Sequence, residues 1–134
     1  MRALLAIVVA GALTSQAQAS VEMTCGASSG YSYYPADGGW VEDGISGGGF
    51  LLLRDGNEYD IVYTDIAGSL SAKGDGATVL GYESDFGPVV LVVYPAVFET
   101  YQFNRAASIV MWTQNKFHPA LPRKLAAFVA PCED

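Results

Sequence analysis

The sequence is short of positive charge. Seven Lys and Arg stand against fourteen Asp and Glu, a formal net charge of −7, and Arg123-Lys124 is the only adjacent basic pair. Nucleic acids and anionic membranes are held by clustered Lys and Arg set against phosphate, so neither suits this chain as a partner. Histidine is scarcer still, with His118 alone, and cysteine is limited to Cys25 and Cys132. So few soft ligands make no zinc centre. Cysteines near opposite ends of the chain make no CxxC redox site. No apolar run approaches the roughly 20 residues that a membrane-spanning helix needs, and the run at residues 3–13 stops about halfway. No dinucleotide or phosphate-loop fingerprint is present, and no cofactor is expected.

What is there begins with an export signal. Met1-Arg2 supplies a positive start, residues 3–13 (ALLAIVVAGAL) an apolar stretch, and Ala17-Gln18-Ala19 a small-x-small cleavage pattern. Cleavage after Ala19 leaves residues 20–134 as one domain, and losing Arg2 takes the side-chain charge from −7 to −8. Glu22-Met23-Thr24 before Cys25 does not resemble a lipid-attachment site, so no membrane anchor is expected after cleavage. The short signal points to a bacterial protein destined for the periplasm or the medium. In either oxidising compartment an even cysteine count predicts a Cys25–Cys132 disulfide.

The mature part reads as all-β: a small antiparallel β-meander forming a barrel or a tight sandwich. Short apolar runs are separated by Gly-rich turn signals about every 8 to 12 residues. Asp55-Gly56 between residues 50–54 and 58–64 suits a type I′ hairpin turn. Gly74-Asp75-Gly76 and Asp85-Phe86-Gly87-Pro88 bound a strand at 77–82, followed by strands at 89–94, 98–104, 108–115 and 124–130. The stretch 38–49 (GGWVEDGISGGG) looks irregular. The predicted core is Tyr59, Ile61, Tyr63, Val79, Leu91, Val93, Tyr101, Phe103, Val110, Trp112 and Phe128. Residues 50–53 (FLLL) and 89–94 (VVLVVY) are apolar at both parities. Such strands are either covered on both sides or exposed at an interface, and coverage by overlapping loops is the plainer expectation.

Several motifs hint at chemistry and lack its context. Gly26-Ala27-Ser28-Ser29-Gly30 matches the GxSxG nucleophile elbow, with His118 downstream, but that elbow belongs at a strand-to-helix turn of a βαβ fold absent here. Asp85-Phe86-Gly87 followed by Pro88 reads as a hairpin turn rather than a kinase metal motif. The glycine-rich residues 44–49 precede a strand rather than a helix, so they make no phosphate cradle. Asp55, Asn57, Glu58 and Asp60 crowd one turn, yet Asp60 stands where a calcium loop requires Gly, so no metal site is expected. Asp37, Glu42 and Asp43 near Trp40 are read as a charged loop rather than a catalytic carboxylate pair.

The remaining signal is aromatic. Tyr31, Tyr33, Tyr34 and Trp40 sit beside flexible glycines and acids, a composition that suits a binding loop. The leading expectation is a non-catalytic binding module, with an inhibitor as one form of it, whose acidic surface meets a protein partner with a basic surface. The alternatives are a barrel-type carrier of a small apolar ligand and a hydrolase using the weak GxSxG pattern. The plan of export signal, β-meander and terminal disulfide is similar to that of small periplasmic inhibitors of lysozymes and proteases. That likeness is architectural and transfers no residue.

Overall fold

A computed structural model of the chain describes residues 18–120 and 122–134. The predicted signal, residues 1–19, therefore lies outside the described residues except for Gln18 and Ala19. Eleven antiparallel strands follow in order: β1 Ser20–Cys25, β2 Ser28–Tyr34, β3 Gly39–Ile45, β4 Gly48–Asp55, β5 Glu58–Asp65, β6 Gly68–Ser71, β7 Thr78–Ser84, β8 Gly87–Val93, β9 Val97–Asn104, β10 Ile109–Lys116 and β11 Lys124–Glu133. They form one sheet in the order β6-β5-β4-β1-β11-β10-β9-β8-β7, with β2 and β3 branching from β11. The sheet curls on itself as a half-barrel. The branch exists because β11 is long: Leu125 to Val129 pair with β2, while Cys132 and Glu133 pair with β1.

Turn chemistry explains the meander, with one correction. The β4–β5 loop is Gly56-Asn57, not Asp55-Gly56, since Asp55 pairs with Glu58. Positive φ occurs there only at Gly56 (60°). That is the pattern of a type II′ turn, which wants Gly at its first central position, rather than the expected I′. The stretch expected to be irregular, 38–49, instead holds β3 and the start of β4. Its glycines do not break the ladders, because β2 pairs with β3 along its whole length and β5 pairs with Gly48 and Gly49.

One face of the sheet makes the core. Tyr101, Phe103, Val90, Val92, Val110, Leu52, Ile61 and Met23 are almost completely buried on it. Rings fill its centre: Tyr101 stacks on Trp112 at 5.4 Å between centroids, Trp112 meets Phe128 at 4.6 Å, and Phe50 meets Tyr101 edge-on at 5.2 Å. Tyr63 and Val79 are half-buried against this cluster. Leu91 and Val93, expected in the core, are not there. In β8 it is Val90 and Val92 that point inward, and Leu91 and Val93 lie half-exposed on the other face. A run apolar at both parities carries no information about its own phase, because either set satisfies the alternation.

The curl brings β5 against β7 and β8 without a hydrogen-bonded ladder between them. Side chains seal this seam instead. Tyr59 lies over Gly81, where a Cβ would stand 2.5 Å from the ring, and its hydroxyl donates to Glu83 at 3.0 Å. Arg105 pairs with Glu22 at 3.1 Å nearby. The expected disulfide is present: Cys25 and Cys132 face each other across β1 and β11, 107 positions apart in the chain. Closing a loop of about 100 residues contributes about 4.7 kcal/mol in the chain-entropy account. No helix among the described residues is long and apolar enough to cross a membrane.

Candidate functional site

Strand alternation puts every second residue of the sheet on its outer face, and that face has an unusual composition. From β7 through β8, β9, β10 and β11 to β2, the outward side chains are uncharged, except Glu133 at the end of β11. Registry sets them in rows. One runs Tyr31, Ala127, Thr113, Thr100, Leu91, Leu80, and the next runs Ser29, Val129, Met111, Gln102, Val89, Tyr82. Among the described residues no second layer covers them. Small side chains in the first row leave a depression of about 560 Å³, walled by Tyr31, Met111 and Val129. The Thr100 and Thr113 hydroxyls in its floor bond each other at 2.6 Å. A smaller recess of about 240 Å³ between Leu80, Tyr82 and Leu91 continues it.

The aromatic residues singled out in the sequence lie at one margin of this face. Tyr31 is 58% and Trp40 57% exposed. Tyr33 and Trp40 are cross-strand neighbours with rings 5.6 Å apart, and Tyr31 stands opposite Glu42. Tyr34 is separated from the other three: it points to the inner face, where Lys124 lies 5.8 Å over its ring. Alternation also divides the nearby acids. Glu42 faces outward, whereas Asp43 faces inward and holds Lys124 at 2.7 Å and the buried Ser32 hydroxyl at 2.6 Å. The hydrogen bond from Lys124, aided by that from Ser32, lowers the Asp43 carboxyl to about 2. Asp37 lies in the β2–β3 turn and Asp85 in the β7–β8 turn, so acids rim the uncharged field at both margins.

The inner face carries a second polar feature. Glu99 on β9 is only 5% exposed. Its carboxylate accepts hydrogen bonds from the hydroxyls of Tyr63 and Tyr101, the latter at 2.7 Å, and from the Gln114 amide at 2.7 Å. Burial first, and the Glu99 charge second, push the Tyr63 and Tyr101 phenols well above their ordinary range. Both therefore stay neutral donors to the carboxylate. Sequence reading overlooked Glu99 because a lone Glu in an alternating strand resembles a solvent-facing residue. Its apolar i+2 and i+4 neighbours, Tyr101 and Phe103, were the signal that it faces inward.

The central serine of the GxSxG pattern is bonded into the core, while Gly26, Ala27 and Ser29 are exposed. Ser28 is buried, and its Oγ accepts the Trp112 indole N–H at 3.0 Å. His118 is exposed, its Nδ1 accepts the Ala120 N–H at 3.0 Å, and no hydrogen bond joins it to Ser28. Asp60 organises the loop after β6, accepting from Ser71 Oγ and from the Lys73 N–H at 3.1 Å. Glu58 pairs with Lys73 at 2.8 Å. Among the described residues no three His, Cys, Asp or Glu side chains are grouped to hold a metal ion. Comparison with protein-family models, with curated proteins and with solved structures finds no match to this chain.

Proposed function

We propose that the chain is an exported, non-catalytic binding module whose outer sheet face receives a protein partner that is apolar at its centre and basic at its rim. One observation carries this reading. In a protein with a net charge of −7, six adjacent strands turn a field outward whose sole charged residue is the terminal Glu133. A protein–protein interface of standard size takes roughly 20 to 30 residues from each side, with aromatics and Met enriched at its centre and polar groups at its rim. Met111, Val129 and Leu91 stand near the centre of the field, Tyr31, Tyr33, Trp40, Leu80 and Tyr82 lie towards its two edges, and Asp37, Glu42 and Asp85 supply the polar rim. The depression over Thr113 and Ala127 suits one anchoring side chain. The acidic rim accelerates encounter with a basic partner and makes that rate salt-dependent. Periplasm or medium is the place where such a disulfide-closed module would act. Inhibition, if the partner is an enzyme, would follow from occlusion.

The test compares columns carrying residues 20–134 and the variant Thr113→Lys, both exposed to the exported proteins of the host. The expected result is one basic protein retained by the first column and lost from the second, with a reconstituted complex whose association slows as salt rises. Identical retention on both columns overturns the reading. So does a self-dimer of the protein that Thr113→Lys dissolves, which would make the face a contact between copies.

A further inference from the structure

At the end of the inner face, beyond the ring cluster, the half-barrel leaves a cleft of about 480 Å³. Its size falls within the range of small-molecule sites, roughly 300 to 1,000 Å³. Trp112 and Phe50 form its apolar wall, and Glu99, Gln114 and Tyr63 its polar floor. Gly47, Gly48 and Gly49 bound the mouth with backbone alone. A Cβ on Gly48 would stand 2.2 Å from the Thr64 carbonyl oxygen, so this wall is thin because the strands approach closely. Two acids, Glu99 and Asp65, line the cleft, and no Lys, Arg or His does.

The Glu99 carboxylate is the anomaly. Burying a carboxylate is costly unless a cation offsets it, and an interior ion normally keeps its counter-ion. Here every hydrogen-bond donor to Glu99 is neutral: two phenols and an amide. Lys116 lines an adjoining recess that shares Tyr63, Glu99 and Gln114, yet it forms no ion pair with a carboxylate among the described residues. Each side chain that touches the carboxylate is itself positioned by a strand, so the negative oxygens are held rigidly at the floor of an open cleft. Beside them Trp112 lines the cleft with Tyr101 and Phe128 packed against its ring, so it offers a ligand an apolar wall rather than a bare ring face. Charge, aromatic wall and volume select the same chemistry.

We infer that this cleft is a binding site for a small organic amine in its ammonium form, with the nitrogen on Glu99 and the apolar body against Trp112 and Phe50. The site is separate from the outer face, and its failure would leave the protein-docking proposal standing. The ammonium supplies the missing counter-charge by donating a charge-assisted hydrogen bond to Glu99 Oε1, which has only Gln114 as a donor. Specificity for a cation follows because an alcohol of the same shape leaves the carboxylate without its counter-charge.

The experiment titrates 2-phenylethylamine and 2-phenylethanol into the oxidised protein, residues 20–134. It follows the Trp112 indole N–H and the Gln114 side-chain amide by two-dimensional NMR. The expected result is saturable shifts of both signals by the amine, about tenfold weaker binding of the alcohol, and about tenfold loss on Glu99→Gln. Gly47→Leu provides a second variant, since a Cβ at Gly47 meets nothing within 4 Å and the side chain would occupy the mouth. It should abolish amine binding in a protein that melts as the parent does. Amine and alcohol binding alike, no saturation by the amine, or unchanged amine binding in Gly47→Leu would each overturn the proposal.

Discussion

The two faces of the sheet are built from the same strands and live under different constraints. On β8, Val90 and Val92 are completely buried, while Val89, Leu91 and Val93 between them are half-exposed. On β3, Asp43 turns inward to a partly buried lysine, and Glu42 turns outward to rim an uncharged field. Alternation alone therefore does not separate apolar from polar in this protein. Each face has its own composition: the inner one combines rings, aliphatics and a few charges, and the outer one carries only Glu133 across six strands. Stability resides on the inner face, because burial there is complete. The outer face is not buried in this way, and its lack of charge is the feature on which the proposed recognition role rests.

Substitutions of one residue type on the two faces break or sharpen that contrast. The largest effect belongs to Leu52→Ala on the inner face. Leu52 is completely buried, and its truncation should cost about 2–5 kcal/mol in denaturant unfolding. A loss below about 1 kcal/mol would mean that the inner face is loosely packed and the contrast false.

An intermediate effect is expected from the inner-face charge pair. The Asp43 carboxyl sits at about 2 in the folded protein, below its value of 3.8 without partners. A depressed folded value means that the stabilisation is present above about pH 4 and is lost as pH falls towards 2, since the unfolded chain takes up the proton first. Asp43→Asn should remove that part of the acid slope in urea melts recorded between pH 5 and 2. An unchanged slope would show that Lys124 does not hold the carboxylate in solution.

The smallest effect belongs to the outer face. Leu80 is 59% exposed, and Leu80→Ala should change stability by no more than about 0.5 kcal/mol. A cost like that of Leu52 would show that the outer face is covered in solution by a second copy, which dilution would then reveal.

Much of this molecule was legible before any coordinates. Alternation at Tyr59, Ile61 and Tyr63 sets the phase of β5 directly, because Asp60 and Thr64 stand at the opposite parity. Turn signals marked β4, β5 and β7 to β11 to within a few residues. β3 was missed because its glycines and acids mimic a loop, and only pairing with β2 makes it a strand. β8 was given the wrong phase because valine stands at both parities. The aromatic cluster was visible as a cluster, but that Tyr34 leaves it for the inner face depends on the alternation of β2. Most of the outer field was not legible as a surface. Its members come from six strands, and only registry places Tyr31, Thr113 and Leu80 in one row.

By itself the sequence determined an all-β chain, the positions of most turns, an acidic character and the single cysteine pair available for a disulfide. These follow from local backbone preference, period-two patterning and counting, which need no knowledge of neighbours. Tertiary structure decided which parity of each apolar strand is buried, how β1 and β2 share the edge of β11, and where Glu99 meets Tyr63, Tyr101 and Gln114. Those outcomes rest on contacts between residues far apart in the chain. The free energy of burying one face rather than the other exists only once the whole sheet has curled around it.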